Sequence, residues 1–378
     1  MTFTRLHRRI ALAALGTGAA LAGPVATPAM AEAAAPYSTS AVVNRTIGYV
    51  VTSRQLAVNP VDDPAGAKAD CPQGNNDGPR QQFAKLHPDA EKRSVLDVLR
   101  REAQVWFPAG STTEPAVLGP YREPLGTVAN GMNLDGKVKP VDFTSPAGEL
   151  GIDNQVYRAV GCIGFFRRPD GVNYYAVPLK LMPLHWNRSL IEITEVDDLR
   201  NDPAVTVHFH QGLDGLIRNA KGDPAPRGSI RINQRWGKTF QFSVPGTIVD
   251  GVLTAGPVDV RLPDTNGHGE FTEQVMRGAR LRLKLGSEEA EGLMAGYMDV
   301  NAMYYALARS WDTAHTAYGD LALQSYHAAV TRHADGYPDA SGRFTAISGA
   351  WEMKLVQTFV VHPEAGGQTA VALSGKPR

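Results

Sequence analysis

Alternation is the feature that most restricts what this chain can fold into. Between residues 156 and 285, apolar side chains recur at every second position in run after run. Arg280-Leu281-Arg282-Leu283-Lys284-Leu285 is the clearest case. Neighbouring side chains of an extended strand point to opposite faces, so this run puts its leucines on one side and its cations on the other. The same habit marks 156–160, 174–177, 190–194, Val205/Val207/Phe209, Ile230/Ile232, Phe240/Phe242 and Val258/Val260/Leu262. Turn signals such as Asp214-Gly215, Lys221-Gly222-Asp223 and Asn266-Gly267 separate the runs. Many short strands punctuated this often predict a mainly-β protein with an antiparallel, β-sandwich-like body rather than a parallel α/β sheet, with α+β as the alternative.

The flanks read differently. A β-rich run at 46–52 predicts a first strand. Residues 89–107 carry Val95, Leu99, Ala103 and Trp106 on one helical face, and Pro108 ends the pattern. Past 285, Ser287 could cap a helix, but Gly292 and Gly296 weaken it and 293–300 also suits a strand. Helices are predicted at 301–311 and 318–333, and Trp351, Met353 and Leu355 alternate in a last strand. The expected organisation is a signal peptide at 1–31 and an N-terminal helix-and-loop region at 32–155. The β-sandwich-like region at 156–285 and a helical C-terminal region at 286–378 follow; 32–378 also fits one domain.

The N-terminus predicts export. Arg5, Arg8 and Arg9 precede an apolar stretch at 10–23, and Ala29-Met30-Ala31 forms a small-residue cleavage site. No later run is long and apolar enough to span a bilayer. The mature chain is therefore expected to be secreted or periplasmic. The whole chain has a formal net charge of +0. Residues 1–31 hold three arginines and no acid, so 35 basic residues face 38 acidic ones after removal. That balance argues against nucleic acid as a partner. An exported chain with two cysteines predicts one disulfide, Cys71–Cys162.

Two places carry metal-ligand residue types. The polar stretch 133–162 holds three turns in close succession, and Asp135, Asp142, Asp153 and Asn154 offer the hard oxygen donors that calcium takes. The same residues suit a network of side-chain-to-backbone turns. His208 and His210 stand two apart in a predicted strand, so both imidazoles leave one face and could form half of a zinc or copper site. His185, Asp197 or Asp198 could complete it. An H-x-H on a strand also suits a solvated face.

Other patterns point nowhere specific. Glu192, Glu195, Asp197 and Asp198 crowd together, but carboxylates three apart on a strand face opposite ways, which does not suit paired acid–base chemistry. Asp335, Asp339 and Gly342 form a second acidic turn cluster, and His333 suits a helix end. Trp186, Tyr174, Tyr175 and Trp236 could stack on sugars or pack as cross-strand pairs. There is no G-x-S-x-G, P-loop, G-x-G-x-x-G or C-x-x-C-H string.

The strings Gly131-Met132-Asn133-Leu134-Asp135-Gly136, Phe143-Thr144-Ser145-Pro146-Ala147-Gly148-Glu149, Gly151-Ile152-Asp153-Asn154-Gln155 and Gly161-Cys162 resemble a group of uncharacterised secreted bacterial proteins. Ala334-Asp335-Gly336-Tyr337-Pro338-Asp339 and Ala346-Ile347-Ser348 are similar to that group too. The resemblance covers most of the mature chain and implies export without an activity. The expected function is thus a non-catalytic binding or envelope-associated protein with a structural calcium, its ligand a small molecule, a glycan or an envelope component. The alternative is a secreted metal-dependent hydrolase that uses His208 and His210, with zinc as the second choice of ion.

Overall fold

A computed structural model describes residues 42–58, 70–76, 121–167, 188–265, 271–309 and 323–363. Its main body is a closed antiparallel barrel of eight strands. The staves are β1 (Thr46–Leu56), β4 (Ser189–Thr194), β5 (Asp202–Gln211), β7 (Phe242–Val249), β8 (Val252–Thr265), β9 (Phe271–Leu285), β10 (Glu289–Asp299) and β12 (Phe344–Val361). Each pairs with the next in that order, and β12 returns to β1. Short β2 (Phe143–Thr144) and β3 (Leu150–Ile152) form a separate pair, while β6 (Gly228–Arg231) and β11 (Gly336–Pro338) attach to β12.

The predicted sandwich is therefore corrected to a barrel. Alternation specifies which face of a strand is buried, and both architectures satisfy it. What decides is the pairing of the first and last staves, Gly48 opposite Thr358 and Val51 opposite Leu355. That contact joins residues about 300 positions apart and leaves no trace in local periodicity. The barrel also draws staves from all three of the expected regions, and the described residues fall in one compact unit.

The inward rows are apolar, as the alternation requires. Val51, Leu355, Ala290 and Leu285 lie side by side around the wall. Below them run Met353, Gly292, Leu283, Leu253 and Ile248. Leu281, Leu283 and Leu285 are buried while Arg282 and Lys284 sit on the wetter face. Full burial of each such leucine contributes about 1.5–3 kcal/mol.

Three helices continue this core at the end of the barrel where β10 finishes and β12 starts. They are α1 (Gln155–Val160), α2 (Val300–Arg309) and α3 (Leu323–Arg332). Val156, Val160, Met303, Tyr304, Tyr326 and Val330 pack in the same cluster as the barrel interior. The expected strand at 156–160 is a helix instead. Asn154 caps it by accepting the Tyr157 N–H, and every residue except Arg158 is buried, so alternation has no wet face to report. Residues 289–299 are a strand, not a helix, because β9 and β12 flank them on both sides. The segments expected as a helix at 89–107 and a strand at 174–177 lie outside the described residues. No helix among the described residues is long and apolar enough to cross a membrane.

Cys71 and Cys162 form a disulfide with a Cα–Cα distance of 5.8 Å. It ties residues 70–76 to the end of α1 across a sequence separation of 91. In the chain-entropy account, closing so long a loop stabilises the fold by about 4–5 kcal/mol. The Cys71→Ala/Cys162→Ala double variant should lose about that much unfolding free energy in a urea titration. A loss below about 1 kcal/mol would show that the crosslinked segment is held mainly by other contacts.

Candidate metal centre

The outer face of the barrel holds two carboxylate-rich places. The first is the polar stretch 130–154. Its side chains cap its own turns: Asn133 Oδ1 accepts from Gly136 N at 2.7 Å, Asp135 Oδ1 from Lys137 N at 2.9 Å and Asp142 Oδ2 from Lys139 N at 2.6 Å. Asn154 donates to the carbonyls of Ala57 and Asn130, both at 2.8 Å. The cation at the middle is Lys139, whose Nζ lies 2.7 Å from Asp135, 3.4 Å from Asp153 and 3.9 Å from Asp142.

This arrangement explains the ionisation there. Burial pushes the Asp153 carboxyl up, while the Leu134 N–H and the Lys139 ammonium pull against it. Burial alone would lower Lys139, but Asp135, Asp153 and Asp142 together outweigh it and raise the ammonium above its ordinary value. The residues read from sequence as calcium donors, Asp135, Asp142, Asp153 and Asn154, thus converge on a lysine and on backbone groups.

The second place lies on β4, β5 and the end of β12. Glu192 stands opposite His208 in the β4–β5 register and opposite Gly48 in the β1–β4 register. It is 4% exposed although it lies on an outward-facing row. His210 and His362 lie against its carboxylate. The β5–β7 connection carries β6, whose Ile230 packs with Val50, Leu190 and Val356 in an apolar cluster of its own.

The end of β12 supplies the third side chain. After Thr358 the strand continues past its β1 partner and pairs in parallel with β6, Thr358 with Gly228 through Val361 with Arg231. Gly48 permits this passage. A Cβ there would meet Thr358 O at 2.6 Å and Val360 Cγ2 at 2.7 Å, closer than real Cβ contacts come. His362, one residue past the strand, therefore reaches back to Glu192 with Nε2 2.8 Å from Oε2 and 3.0 Å from Oε1.

His210 completes the group. Its Nε2 is 3.4 Å from Glu192 Oε2. That separation is within ion-pair reach but lacks hydrogen-bond geometry, and both ring nitrogens are buried without a hydrogen-bond partner. The donor atoms of Glu192, His210 and His362 all lie within 4.8 Å of one another. Burial works against the charge on Glu192, but His210 and His362 outweigh it and hold the carboxyl below its ordinary range.

The sequence-predicted pair is split. His208 Nε2 contacts Thr194 Oγ1 at 2.9 Å and Nδ1 contacts Ser243 Oγ at 2.7 Å, so both nitrogens are engaged. Its ring lies nearly parallel to that of His210, 6.1 Å away. Asp197 pairs with Arg45 at 2.8 Å, and Asp198 caps Arg200 N. Glu195 accepts from Thr206 Oγ1. Asp335 holds Ser348, and Asp339 closes its own turn through Ser341 and Arg343. His333 meets Glu123 at 3.0 Å. Trp236 packs edge-on against Phe240. His185, Trp186, Tyr174 and Tyr175 lie outside the described residues. Glu192 and His362 carry no ligand signal in the local sequence. Glu192 joins the site through its place opposite His208, which needs the strand register. His362 stands 170 residues from Glu192.

Lys139→Met should lower stability by about 1–3 kcal/mol at neutral pH, since Asp153 would keep its burial and lose its cation. Partial exposure of the lysine keeps this below the cost of a fully buried pair. The Lys139 pKa is raised on folding, so its contribution is complete below the unfolded lysine value of about 10.4 and fades as pH rises above it. The gap between wild type and Lys139→Met in urea titrations should therefore narrow in strong alkali. Millimolar calcium should leave the wild-type melting temperature unchanged; a clear upward shift would restore the calcium reading of this loop.

Searches of protein-family models, curated proteins and solved structures found no match to this chain.

Proposed function

We propose that this is an exported barrel protein that binds a zinc-class divalent ion through Glu192, His210 and His362. One observation carries the reading: three metal-type donors from three separate strand regions converge within 4.8 Å. Among them, the buried nitrogens of His210 have no hydrogen-bond partner. A native protein rarely leaves buried imidazole nitrogens without a hydrogen bond, and an ion bound at Nε2 would replace its long contact to Glu192 with a direct ligand bond.

The Glu192–His210 spacing suits the ion. Donors about 2.0–2.1 Å from a tetrahedral zinc lie about 3.4 Å from one another. Glu192 Oε2 and His210 Nε2 are already 3.4 Å apart. His362 is slightly too close, at 2.8 Å, but its side chain is 56% exposed and has room to swing outward. Imidazole with carboxylate suits zinc and its neighbours better than calcium, which takes oxygen donors.

This reading keeps the expected binding role and replaces the ligand set. A hydrolase built on His208 and His210 as a pair is less favoured, since Thr194 and Ser243 engage both nitrogens of His208. The disulfide supports the exported compartment, because such bonds persist chiefly outside the cytoplasm.

Metal-free protein titrated calorimetrically with zinc should bind one equivalent. His210→Ala and His362→Ala should each weaken binding at least tenfold, and His208→Ala should leave the stoichiometry at one. Affinity should fall as pH is lowered, because protons compete for the same donors. Equal zinc binding by wild type and the His210→Ala/His362→Ala double variant would remove the proposal.

A further inference from the structure

Resting on the metal-binding reading above, we infer that the centre of Glu192, His210 and His362 keeps one coordination position open to solvent and takes a small anion there. Three observations converge on it.

The first is donor count. Among the described residues the cluster has three donors, whereas zinc ordinarily takes four. Among the described residues, the further imidazole beside His210 is His208, 6.1 Å away between ring centroids, and its two nitrogens are held by Thr194 and Ser243. A closed structural site uses four protein donors; three leave room for an exchangeable one.

The second is the gradient of burial across the site. The Glu192 side chain is 6% exposed, that of His210 12% and that of His362 56%. The ion would rest on a buried floor of Glu192 and His210, with its remaining position on the solvent side beside His362. The parallel pairing of β12 with β6 holds the backbone of Val361 in place, Ile232 N donating to Val361 O at 3.0 Å. The floor and the rim are therefore both positioned by main-chain bonds, independently of an ion.

The third is charge. One carboxylate and two neutral imidazoles leave a divalent ion with a net charge of about +1. An incoming monoanion neutralises it, so a carboxylate or azide should displace water from the open position. Neutral ligands gain no such term.

The test uses the full chain loaded with cobalt(II), whose visible bands report coordination, in chloride-free buffer. Sodium azide is the first probe and sodium acetate the second. A saturable, single-site change in the visible spectrum with azide, retained in His208→Ala, is the expected result. Cobalt that binds stoichiometrically but shows no spectral response to azide or acetate would overturn the inference while leaving the metal reading intact. A response that appears only in His208→Ala would also overturn it, by showing that His208 fills the fourth position. If cobalt and zinc both fail to bind the folded, disulfide-bonded wild type, the metal reading itself falls and this inference falls with it. Circular dichroism of each variant identifies any loss caused by unfolding.

Discussion

The pairing of β1 with β12 is the contact on which the rest of this molecule depends. It turns a row of eight strands into a closed wall, so that the first and last staves give up their free edges to each other. Unpaired strand edges are costly when buried and prone to aggregation when exposed, and closure removes both problems together. It also sets the inner face. With the wall shut, Val51 and Leu355 become neighbours, and the apolar rows of β8, β9 and β10 meet the apolar row of β1 across one interior.

The same pairing builds the cluster of Glu192, His210 and His362 through its own ending. β12 is longer than the partner it closes against, and the excess past Thr358 has to go somewhere. A side chain at position 48 would block its path over β1. Glycine there lets the strand pass, pair with β6 and bring His362 above Glu192. The site is thus a consequence of strand length and one missing Cβ. Because its donors come from β4, β5 and the end of β12, they converge only in the closed barrel. Ion binding should consequently be coupled to folding, as in other sites absent from the unfolded chain.

Only part of this was legible in the residues. The leucines of 281–285 declared their burial correctly, β4, β5 and β8 fell where alternation put them, and β1 where its β-rich run did. Closure was not legible, since periodicity gives the face of each strand and nothing about which strands meet. The run at 156–160 misled for a physical reason. A five-residue window cannot separate periods of 2.0 and 3.6 when nearly every side chain in it is buried, and the deciding signal was the cap at Asn154. His210 was visible as a candidate from its strand. The side chains it meets were not, because one is set by cross-strand register and the other by a strand end 170 residues beyond Glu192.

The two carboxylate-rich places on the outer wall show why one is a better ion site than the other. At the 130–154 stretch, the positive charge is part of the chain: the Lys139 ammonium lies 2.7–3.9 Å from three aspartates. A calcium ion entering there would have to displace a covalently tethered cation already at high effective concentration. At Glu192, the neighbours are imidazoles, which offer lone pairs when neutral and charge only when protonated. A buried carboxylate flanked by two such groups lacks a permanent counter-charge. It can be neutralised either by a proton on a neighbouring ring or by an ion bound to all three side chains. Proton and metal therefore compete for one need, and the fold, by burying Glu192, makes that need strong.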